Sequence, residues 1–521
     1  MRRCSLLLCL LLVLAGCAGH YPAQPSQALP AANSSFGKAL LARAAAHDGQ
    51  SGFRLLPASN EAFAARAELI RAAQHSLDLQ YYIVNDGLST RALFDELLSA
   101  ADRGVRVRLL LDDTSSDGRD YEIALLAAHP NIQVRVFNPL HLGRATGVTR
   151  TLGRILDLGQ QHRRMHNKLW LADGAAAIVG GRNLGDEYFD AEPSLNFTDI
   201  DMLAVGPVAE QLAHSFDQYW NSALSKPIQQ FVYRQPSQLD LAEARQRLRG
   251  YLAQARVEQK KLYDRLLAYR HDPHLHTWLD ELIWAPGIAL WDAPSKVLAD
   301  GEPDPHLLLT TQLLPELEQV KQELILVSAY FVPAEEGMNY LTGHADAGVS
   351  VRLLTNSLEA TDVPAVHGGY APYRQQLLEH GVRLFELRRQ PDGSGGGSGS
   401  GPYSFSGASN SSLHSKAIIL DRQKVFVGSL NFDPRSILWN TEVGVLVDSP
   451  QLTERVRELA LEGMQPALSY EVRLQPHGGG KRLVWVTEDN GKTRTAVEEP
   501  GSRWRHFNAW FSELIGLERM L

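Results

Sequence analysis

The sequence predicts an α/β protein made of two repeated halves. The segment ADRGVRVRLL at 101–110 returns as ADAGVSVRLL at 345–354. Each copy follows an amphipathic stretch and leads into an apolar strand, and its glycine suits the C-cap of a helix. The strand-like segments SLDLQYYI at 76–83 and LILVSAYFV at 324–332 also correspond. Strands that alternate with helices in both halves predict α/β layers around a mixed or parallel sheet.

The length and charge of the chain agree with a duplicated unit and limit its partners. The chain has 521 residues, 44% of them hydrophobic, and exceeds the size at which a single core stops growing. Its net charge is −8, from 51 basic and 59 acidic residues. Non-specific binding of nucleic acid usually needs a basic surface, so nucleic acid is not an expected partner.

The N-terminus has the pattern of a bacterial secretory signal. Arg2 and Arg3 precede an apolar run at 6–14, which is shorter than the roughly 20 residues that span a bilayer. Residues 1–16 are therefore predicted to be a signal peptide. An uncleaved anchor and a signal peptide without lipidation are the alternatives.

The sequence LAGC at 14–17 is similar to the lipobox of bacterial lipoproteins. This resemblance implies cleavage before Cys17 and acylation of that cysteine, which would attach the protein to the bacterial membrane. The three cysteines all lie at or before Cys17, so the mature chain has no internal disulfide and no free catalytic thiol. Residues 17–50 are predicted to be a lipid-anchored tether. By the same resemblance, Ala18 favours a periplasm-facing lipoprotein of the cell envelope at the outer rather than the inner membrane.

The remaining boundaries follow the repeats and the local composition. The stretch 239–269 is charged and free of proline, which predicts one or two surface helices. A Gly/Ser-rich run at 393–401 predicts a flexible loop, either a plain insertion or a mobile lid. The predicted parts are an N-terminal half at 51–235, a helical insertion at 236–285, a C-terminal half at 286–475 and a tail at 476–521.

The tail contains an aromatic stretch with helical spacing at 504–515. Such a helix could lie in a membrane interface or could pack on its own domain. The sequence leaves both readings open.

One polar motif occurs twice with identical gaps. It reads His-x-Lys, four residues, Asp, six residues, then Gly-[Gly/Ser]-x-Asn. Residues two apart on a strand point to the same face, so the histidine and the lysine of each copy project together. The members are His166, Lys168, Asp173, Gly181 and Asn183 in the first copy and His414, Lys416, Asp421, Ser429 and Asn431 in the second.

The residue types in this motif suit the chemistry of a phosphate ester. The motif supplies an imidazole, an ammonium and an amide, and the glycine turn lets the backbone approach a ligand closely. Two lysines without a metal suit a phosphate, and two histidines suit one nucleophile and one general acid. His162 and His166 are four residues apart but lack the glutamate of a zinc protease helix, so neither a metal nor a cofactor is expected.

The doubled motif resembles the phospholipase D superfamily, and the chain is similar to bacterial cardiolipin synthases, particularly those of the C-type. The resemblance extends from about residue 53 to about residue 469. It implies two phospholipase D-type α/β/α sandwich halves with the active site at their interface. The supporting stretches lie at 78–83, 163–168, 355–367 and 431–436.

The resemblance also implies a mechanism. One histidine attacks phosphorus to give a phosphohistidine, and the other protonates the leaving alkoxide and later deprotonates the acceptor. Following the order usual in the family, His166 is the nucleophile and His414 the acid/base, although the sequence itself does not separate these roles. The implied phosphate-binding residues are Lys168, Lys416, Asn183, Asn431 and Ser429, whose hydroxyl has no counterpart in the first copy.

Carboxylates complete the implied site. In the family, the group that orients each histidine lies in the opposite half, so we assign Asp199 to His414 and Glu442 to His166. Asp201 competes with Asp199, and either carboxylate could instead be a surface charge at a strand end.

The two aspartates of the motif itself, Asp173 and Asp421, are interpreted as braces of the motif. A direct catalytic role is the alternative.

The resulting functional prediction is phosphatidyl transfer with phospholipids as substrates. Cardiolipin synthesis from phosphatidylglycerol and a second phospholipid is expected first. The alternatives are a phospholipase D that releases phosphatidic acid, a secreted nuclease, which the acidic charge disfavours, and a non-catalytic lipid-binding lipoprotein of the envelope. Both motifs are intact, which argues against the last. The sequence leaves the oligomeric state and the choice of donor and acceptor open.

Overall fold

A computed structural model describes residues 21–116, 118–140, 162–389 and 411–514. The predicted signal peptide, Cys17 and the Gly/Ser-rich run at 393–401 lie outside the described residues.

The N-terminal half and the insertion form one sheet with flanking helices. Their elements are α1 (Ser35–Ala45), β1 (Ser51–Leu56), α2 (Ser59–Ala72), β2 (Ser76–Tyr81), α3 (Leu88–Asp102), β3 (Arg106–Asp112), α4 (Asp120–Leu126), β4 (Ile132–Phe137), β5 (Leu169–Ala172), β6 (Ala176–Gly180), β7 (Asn196–Thr198), β8 (Asp201–Val205), α5 (Pro207–Trp220), β9 (Ser225–Pro227), α6 (Gln238–Glu258), α7 (Lys260–Leu266), α8 (Leu275–Asp280) and β10 (Ile283–Ala285).

The C-terminal half and the tail form a second sheet. Their elements are β11 (Gly287–Trp291), α9 (Leu309–Glu318), β12 (Glu323–Ser328), α10 (Ala334–Asp346), β13 (Ser350–Asn356), α11 (Pro364–Tyr370), α12 (Arg374–Glu379), β14 (Arg383–Leu387), β15 (Ser411–Leu413), β16 (Lys416–Leu420), β17 (Lys424–Gly428), β18 (Val443–Asp448), α13 (Pro450–Gly463), β19 (Ser469–His477), β20 (Gly480–Asp489), β21 (Lys492–Ala496) and α14 (Arg503–Leu514).

Strands β7 and β15 lie outside both large sheets and pair with each other. The two large sheets share one strand order. The first contains β1-β8-β6-β5-β2-β3-β4, and the second contains β11-β18-β17-β16-β12-β13-β14 in the same sequence of neighbours. Strands β2, β3 and β4 pair in parallel, as do β12, β13 and β14, while the other pairs of this common set are antiparallel. The predicted α/β fold with two repeated halves is confirmed.

One apolar core belongs to both halves. Along β16, Ala417 and Ile419 join this shared core, while Ile418 and Leu420 face a core of the second half alone. The inner strands of the first sheet alternate in the same way, and helices α5 and α13 contribute to the shared core. Burial of a valine, leucine or isoleucine side chain is worth roughly 1.5–3 kcal/mol. Separating the halves would therefore expose a large apolar surface.

The predicted tether is wrong for the described part of its range, 21–50. Helix α1 buries Leu40 and Ala44, which lie on one helical face, and the Ser34 side chain caps its first turn. Upstream of the helix, the backbone N–H of Ala28 donates to Asp217 of α5 at 2.8 Å. The reason is the apolar spacing within α1, which lets this segment pack on the first half.

Two of the predicted boundaries can be placed on the sheets. Residue 286 is a proline between β10, which belongs to the first sheet, and β11, which belongs to the second. The expected boundary at 475/476 falls inside β19 (Ser469–His477), so the beginning of the tail is part of the second sheet. The insertion forms α6, α7 and α8, and Arg270 behind α7 pairs with Glu96 of α3 at 2.8 Å.

Within the described ranges, none of the helices combines the length and the apolar character needed to cross a membrane.

Candidate active site

The two histidines lie at equivalent places in the two sheets. His166 precedes β5 and His414 precedes β16, and both strands lie beside the shared core. The exposed fraction is 7% for His166 and 5% for His414, and Lys168 and Lys416 are also buried. Burying so many ionisable groups is costly for folding, and such clusters are typical of functional sites.

Each histidine pairs with a carboxylate from the opposite half. The Nδ1 atom of His166 lies 2.9 Å from Oε2 of Glu442, and Nδ1 of His414 lies 2.6 Å from Oδ2 of Asp199. The structure thus brings each histidine together with the carboxylate that the sequence assigned to it. A carboxylate on Nδ1 fixes the tautomer and leaves Nε2 for attack or proton transfer.

The backbone makes the same exchange between the halves, because the N–H of each histidine donates to a carbonyl of the opposite half. The N–H of His166 donates to the carbonyl of Thr441 at 2.9 Å, and the N–H of His414 donates to the carbonyl of Thr198 at 2.8 Å. In both cases the accepting residue directly precedes the carboxylate that the imidazole contacts. Strands β7 and β15 extend one of these exchanges into a short parallel pair. Backbone and side chain are therefore positioned together.

The competing carboxylate, Asp201, has other partners. Its Oδ2 atom lies 2.9 Å from Arg66 and 3.4 Å from Arg182, and all three side chains are buried. In this arrangement Asp201 neutralises two buried arginines instead of orienting a histidine.

The two lysines lie in a site that penalises their charge. Burial lowers the pKa of Lys416 to about 8, against the opposing effect of Asp199 and Glu442. Burial also holds the pKa of Lys168 well below its usual value, and Lys416 adds to this effect. An anionic phosphate between the two ammonium groups would offset both the burial and the mutual repulsion.

The environment of the two histidines disfavours their charged forms in the ligand-free site. Burial, followed by the charge of Lys416, lowers the pKa of His414 to about 4. Burial, followed by Lys168 and Lys416, holds the pKa of His166 well below its usual value. Because Lys416 affects His166 and Lys168 affects His414, the two motifs converge on one site.

The two asparagines are held by their carbonyl oxygens. Oδ1 of Asn183 accepts the N–H of Ile83 at 3.1 Å, and Oδ1 of Asn431 accepts the N–H of Tyr330 at 3.5 Å. The amide nitrogen of Asn183 also donates to the Tyr188 hydroxyl at 2.9 Å. An amide carries two N–H bonds, so one hydrogen of Asn183 remains for an oxyanion.

Ser429 differs from the expectation that it donates to phosphate. Its hydroxyl donates to Oε2 of Glu442 at 2.5 Å and accepts the N–H of Val443 at 3.0 Å. A serine hydroxyl has a single hydrogen, so in this structure Ser429 holds the carboxylate instead. In the first half, a Cβ on the equivalent Gly181 would lie 2.4 Å from Oδ1 of Asp199. The glycine therefore leaves room for that carboxylate.

The motif aspartates lie at the far ends of the strands that the histidines begin. Asp173 accepts backbone N–H groups of Gln74, His75 and Ser76 at 2.8–3.2 Å. Each aspartate lies five positions after its lysine along an extended chain, a distance of roughly 17 Å.

Asp421 makes the equivalent contacts with the backbone N–H groups of residues 321–323 at 2.7–3.2 Å. These contacts favour a bracing role for both aspartates, and the direct catalytic role has no support in the geometry.

Sequence reasoning missed a buried group behind Glu442. The backbone N–H of Glu442 donates to Oδ2 of Asp292 at 2.7 Å, and Lys296 lies 2.9 Å from the same oxygen. Lys296 also donates to the carbonyl of Ser436 at 3.0 Å. Burial raises the pKa of Asp292 to about 6 despite this lysine. The only sequence signal was an Asp and a Lys four residues apart after β11.

Aromatic rings cover both imidazoles. The Tyr82 ring contacts His166 edge to face at 5.1 Å, and Tyr188 and Phe197 contact His414 at 5.3 and 5.1 Å. The neighbouring Tyr81 is buried in the core, as the alternation of strand side chains requires. The rings help to exclude water from the two histidines.

The chain matches a family model described as "Cardiolipin synthase, PLD-like domain" over residues 67–220 and 313–461. Each matched segment contains one copy of the motif. The chain belongs to this family. It is a phosphatidyltransferase of the phospholipase D superfamily.

Known relatives and structures agree with the family. The chain is 38% identical over 487 residues to cardiolipin synthase C of Escherichia coli (strain K12), covering 93% of this chain and 99% of the relative. It is 33% identical to an uncharacterized protein of Helicobacter pylori (strain J99), over 84% of this chain and 83% of that protein. The fold is similar to that of phosphatidylserine synthase from Haemophilus influenzae Rd KW20, with a TM-score of 0.56, 14% identity, and coverage of 92% of this chain and 100% of that one.

Proposed function

We propose that the protein makes cardiolipin by transferring a phosphatidyl group from one phospholipid to a glycerol hydroxyl of phosphatidylglycerol. The observation that carries this proposal is the pair of buried histidines, each held by a carboxylate of the opposite half. Two imidazoles with fixed tautomers suit a double displacement at phosphorus without a metal. The similarity to cardiolipin synthase C over nearly the whole chain supports this choice of product.

The reaction has two displacements. Nε2 of His166 attacks phosphorus, the bond to the headgroup oxygen breaks, and His414 gives its proton to the leaving alcohol. His414 then takes the proton of the acceptor hydroxyl, the acceptor oxygen attacks phosphorus, and the bond to His166 breaks. Lys168, Lys416, Asn183 and Asn431 hold the non-bridging oxygens, where fixed donors stabilise the developing charge.

The carboxylates support this division of roles. His414 and Lys416 hold the pKa of Asp199 below its usual value against the effect of burial, so this carboxylate is ionised and stabilises a protonated His414. Burial raises the pKa of Glu442 to about 7. Glu442 therefore stabilises a charged His166 less, which suits a neutral nucleophile.

Binding of the substrate favours the protonated form of the general acid. In the ligand-free site His414 is neutral, because burial and Lys416 lower its pKa to about 4. A phosphodiester anion beside it raises the pKa of the imidazole. His414 thus takes up a proton from solvent when a phospholipid binds.

The test uses purified protein and labelled phosphatidylglycerol, alone and together with phosphatidylethanolamine. Labelled cardiolipin that is absent with His166→Ala is the expected product. Phosphatidic acid as the main product would instead identify a hydrolase. No lipid product from either protein would favour a non-catalytic lipid-binding lipoprotein.

The location of the protein is a further part of the proposal. The family supports membrane association, and the sequence at 14–17 supports acylation of Cys17 in a lipoprotein that faces the periplasm. Ala18 supports the outer rather than the inner membrane. Labelled palmitate should enter the wild-type protein and not the Cys17→Ala variant. Separation of the two membranes would then locate the labelled chain.

A further inference from the structure

Helix α14 (Arg503–Leu514) faces the rest of the protein with its polar side chains. Arg505 donates to the carbonyls of Thr361 at 2.5 Å and Leu358 at 3.1 Å, and Nε2 of His506 lies 3.1 Å from the carbonyl of Glu499. A helix on the surface of a soluble protein normally buries its apolar face and exposes its polar face. Along 503–511 of α14 the small residue Ala509 is buried, but the large aromatic side chains are exposed, so the usual orientation is reversed for the aromatics.

The outward face of α14 is aromatic. Trp504, Phe507, Trp510 and Phe511 have exposed fractions of 68, 48, 53 and 46%. Their rings contact one another with centroids 5.7–6.0 Å apart, so they form one continuous patch. We call these four residues the aromatic face. Clustered exposed aromatics of this kind mark an interaction site.

The helix is docked beside the active site. The loop that Arg505 holds continues into Asp362, which accepts a hydrogen bond from the Tyr330 hydroxyl at 2.7 Å. The backbone N–H of Tyr330 in turn donates to Asn431 of the second motif. Burial lowers the pKa of Lys416, and the charge of Asp362 opposes this effect, as expected for a neighbour of the site.

We propose that the aromatic face inserts into the interface of a phospholipid bilayer and thereby holds the adjacent active site close to the membrane. Tryptophan and phenylalanine are residues that anchor helices at this depth. The exposed Arg503 at the start of α14 can contact lipid phosphates beside them. The inference rests on the proposed function, because a phospholipid substrate has to pass from a bilayer into the site.

The test compares lipid in two physical states. The four residues of the aromatic face are changed together to glutamine, which keeps the helix propensity and removes the apolar surface. The matched control changes three exposed apolar residues elsewhere, Tyr233, Leu239 and Val257, to glutamine. Turnover is measured with vesicles of phosphatidylglycerol and phosphatidylethanolamine, and with dihexanoyl phosphatidylglycerol as dissolved monomers.

We expect the aromatic-face variant to lose at least about tenfold in turnover of vesicles and to keep its turnover of monomers within about twofold. The control should keep both. An equal loss with monomers would mean that α14 supports the site instead of docking it. An unchanged rate with vesicles, or an equal loss in the control, would also overturn the proposal.

A binding measurement separates this inference from the proposed function. Vesicles of brominated phosphatidylglycerol should quench the tryptophan emission of the wild-type chain, and Trp504→Gln with Trp510→Gln should remove most of the quenching. Quenching without any cardiolipin from the wild type would refute the proposed function alone. The oligomeric state without vesicles provides a further check. If the wild type is a dimer and the aromatic-face variant is a monomer, the aromatic face binds a second copy of the chain, and the proposal of a bilayer is overturned.

Discussion

The two halves share a backbone arrangement but differ in how each holds its carboxylate. Glu442 is long and accepts a hydrogen bond from Ser429, whereas Asp199 is one methylene shorter and lies against Gly181. The histidine contacts and the backbone exchange between the halves are otherwise equivalent. Two small side-chain differences are therefore enough to give two related histidines different electrostatic partners.

The comparison shows where a duplicated site can become asymmetric. The aspartates at the strand ends and the lysines make the same contacts in both halves. Each sheet requires its own aspartate at the strand end, and we propose that both lysines bind the phosphate. The carboxylates and the residues that contact them differ between the halves, and this difference changes the electrostatic surroundings of each imidazole.

The largest effect should come from the histidines. His166→Ala and His414→Ala should each lower the turnover of natural phospholipids by roughly 10⁴-fold. With a phosphatidyl ester of 4-nitrophenol, whose leaving group needs no proton, His414→Ala should still release one equivalent of nitrophenol per enzyme. His166→Ala should release none. A burst in His166→Ala alone would reverse the two roles.

The carboxylates come next. Glu442→Gln and Asp199→Asn should each lower kcat by roughly 10³-fold, since an amide no longer fixes the tautomer. KM should stay close to the wild-type value, because neither carboxylate is placed on the phosphate. On the 4-nitrophenyl ester, Asp199→Asn should recover the release of nitrophenol more than Glu442→Gln does. Wild-type kcat in Glu442→Gln would refute its pairing with His166.

Substitution of the residues that contact the two carboxylates, Gly181 and Ser429, should lower kcat by unequal amounts. Gly181→Ser should lower kcat by roughly 10²-fold, because its Cβ would lie 2.4 Å from Oδ1 of Asp199 and displace it. Ser429→Gly removes one hydrogen bond to Glu442 and should cost about tenfold. Equal losses in the two variants would mean that the halves tolerate either arrangement.

The pH dependence should report the lysine of the second half. Burial lowers the pKa of Lys416 to about 8, so its ammonium loses its proton above that pH and no longer attracts the phosphodiester. We expect kcat/KM to fall by up to about tenfold per pH unit above 8. Lys416→Arg should move this limb to higher pH, because a guanidinium stays charged. A limb that does not move would assign it to another group.

The smallest effect on activity should come from the strand ends. Asp173→Ala should lower the free energy of unfolding by about 3 kcal/mol, since its removal leaves buried N–H groups without a partner. Asp421 is more exposed, so Asp421→Ala should cost only about 1 kcal/mol. Both should keep kcat within about twofold at a temperature where they are folded. A loss of kcat without a loss of stability would favour the catalytic alternative.

The sequence alone predicted the repeat, the fold and the residues that converge, because a motif with fixed gaps on matching strands allows few arrangements. It did not predict the hydrogen bond of Ser429 to Glu442, since rotation of a hydroxyl is decided by neighbours distant in sequence. The support from Asp292 was missed for the same reason. The prediction of a tether was wrong for 21–50 because Leu40 and Ala44 pack on the first half, and the composition of the segment does not indicate this packing.

The orientation of α14 could not be predicted from the spacing of its apolar residues either. The spacing of its aromatics predicts a helix with one apolar face but does not say whether that face turns inward. The carbonyls that accept from Arg505 decide this, and they belong to the loop at 358–361.

The exchange between Thr198 and His414, and between Thr441 and His166, has a consequence for inheritance and assembly. Neither half alone contains a histidine together with its carboxylate. A gene fragment that encodes one half would therefore produce an inactive protein until the other half binds to it. Two separately expressed halves should regain turnover on mixing, with a rate that rises with the concentration of each. Assembly of the two halves is thus required for activity, and any motion that separates them would inactivate both histidines together.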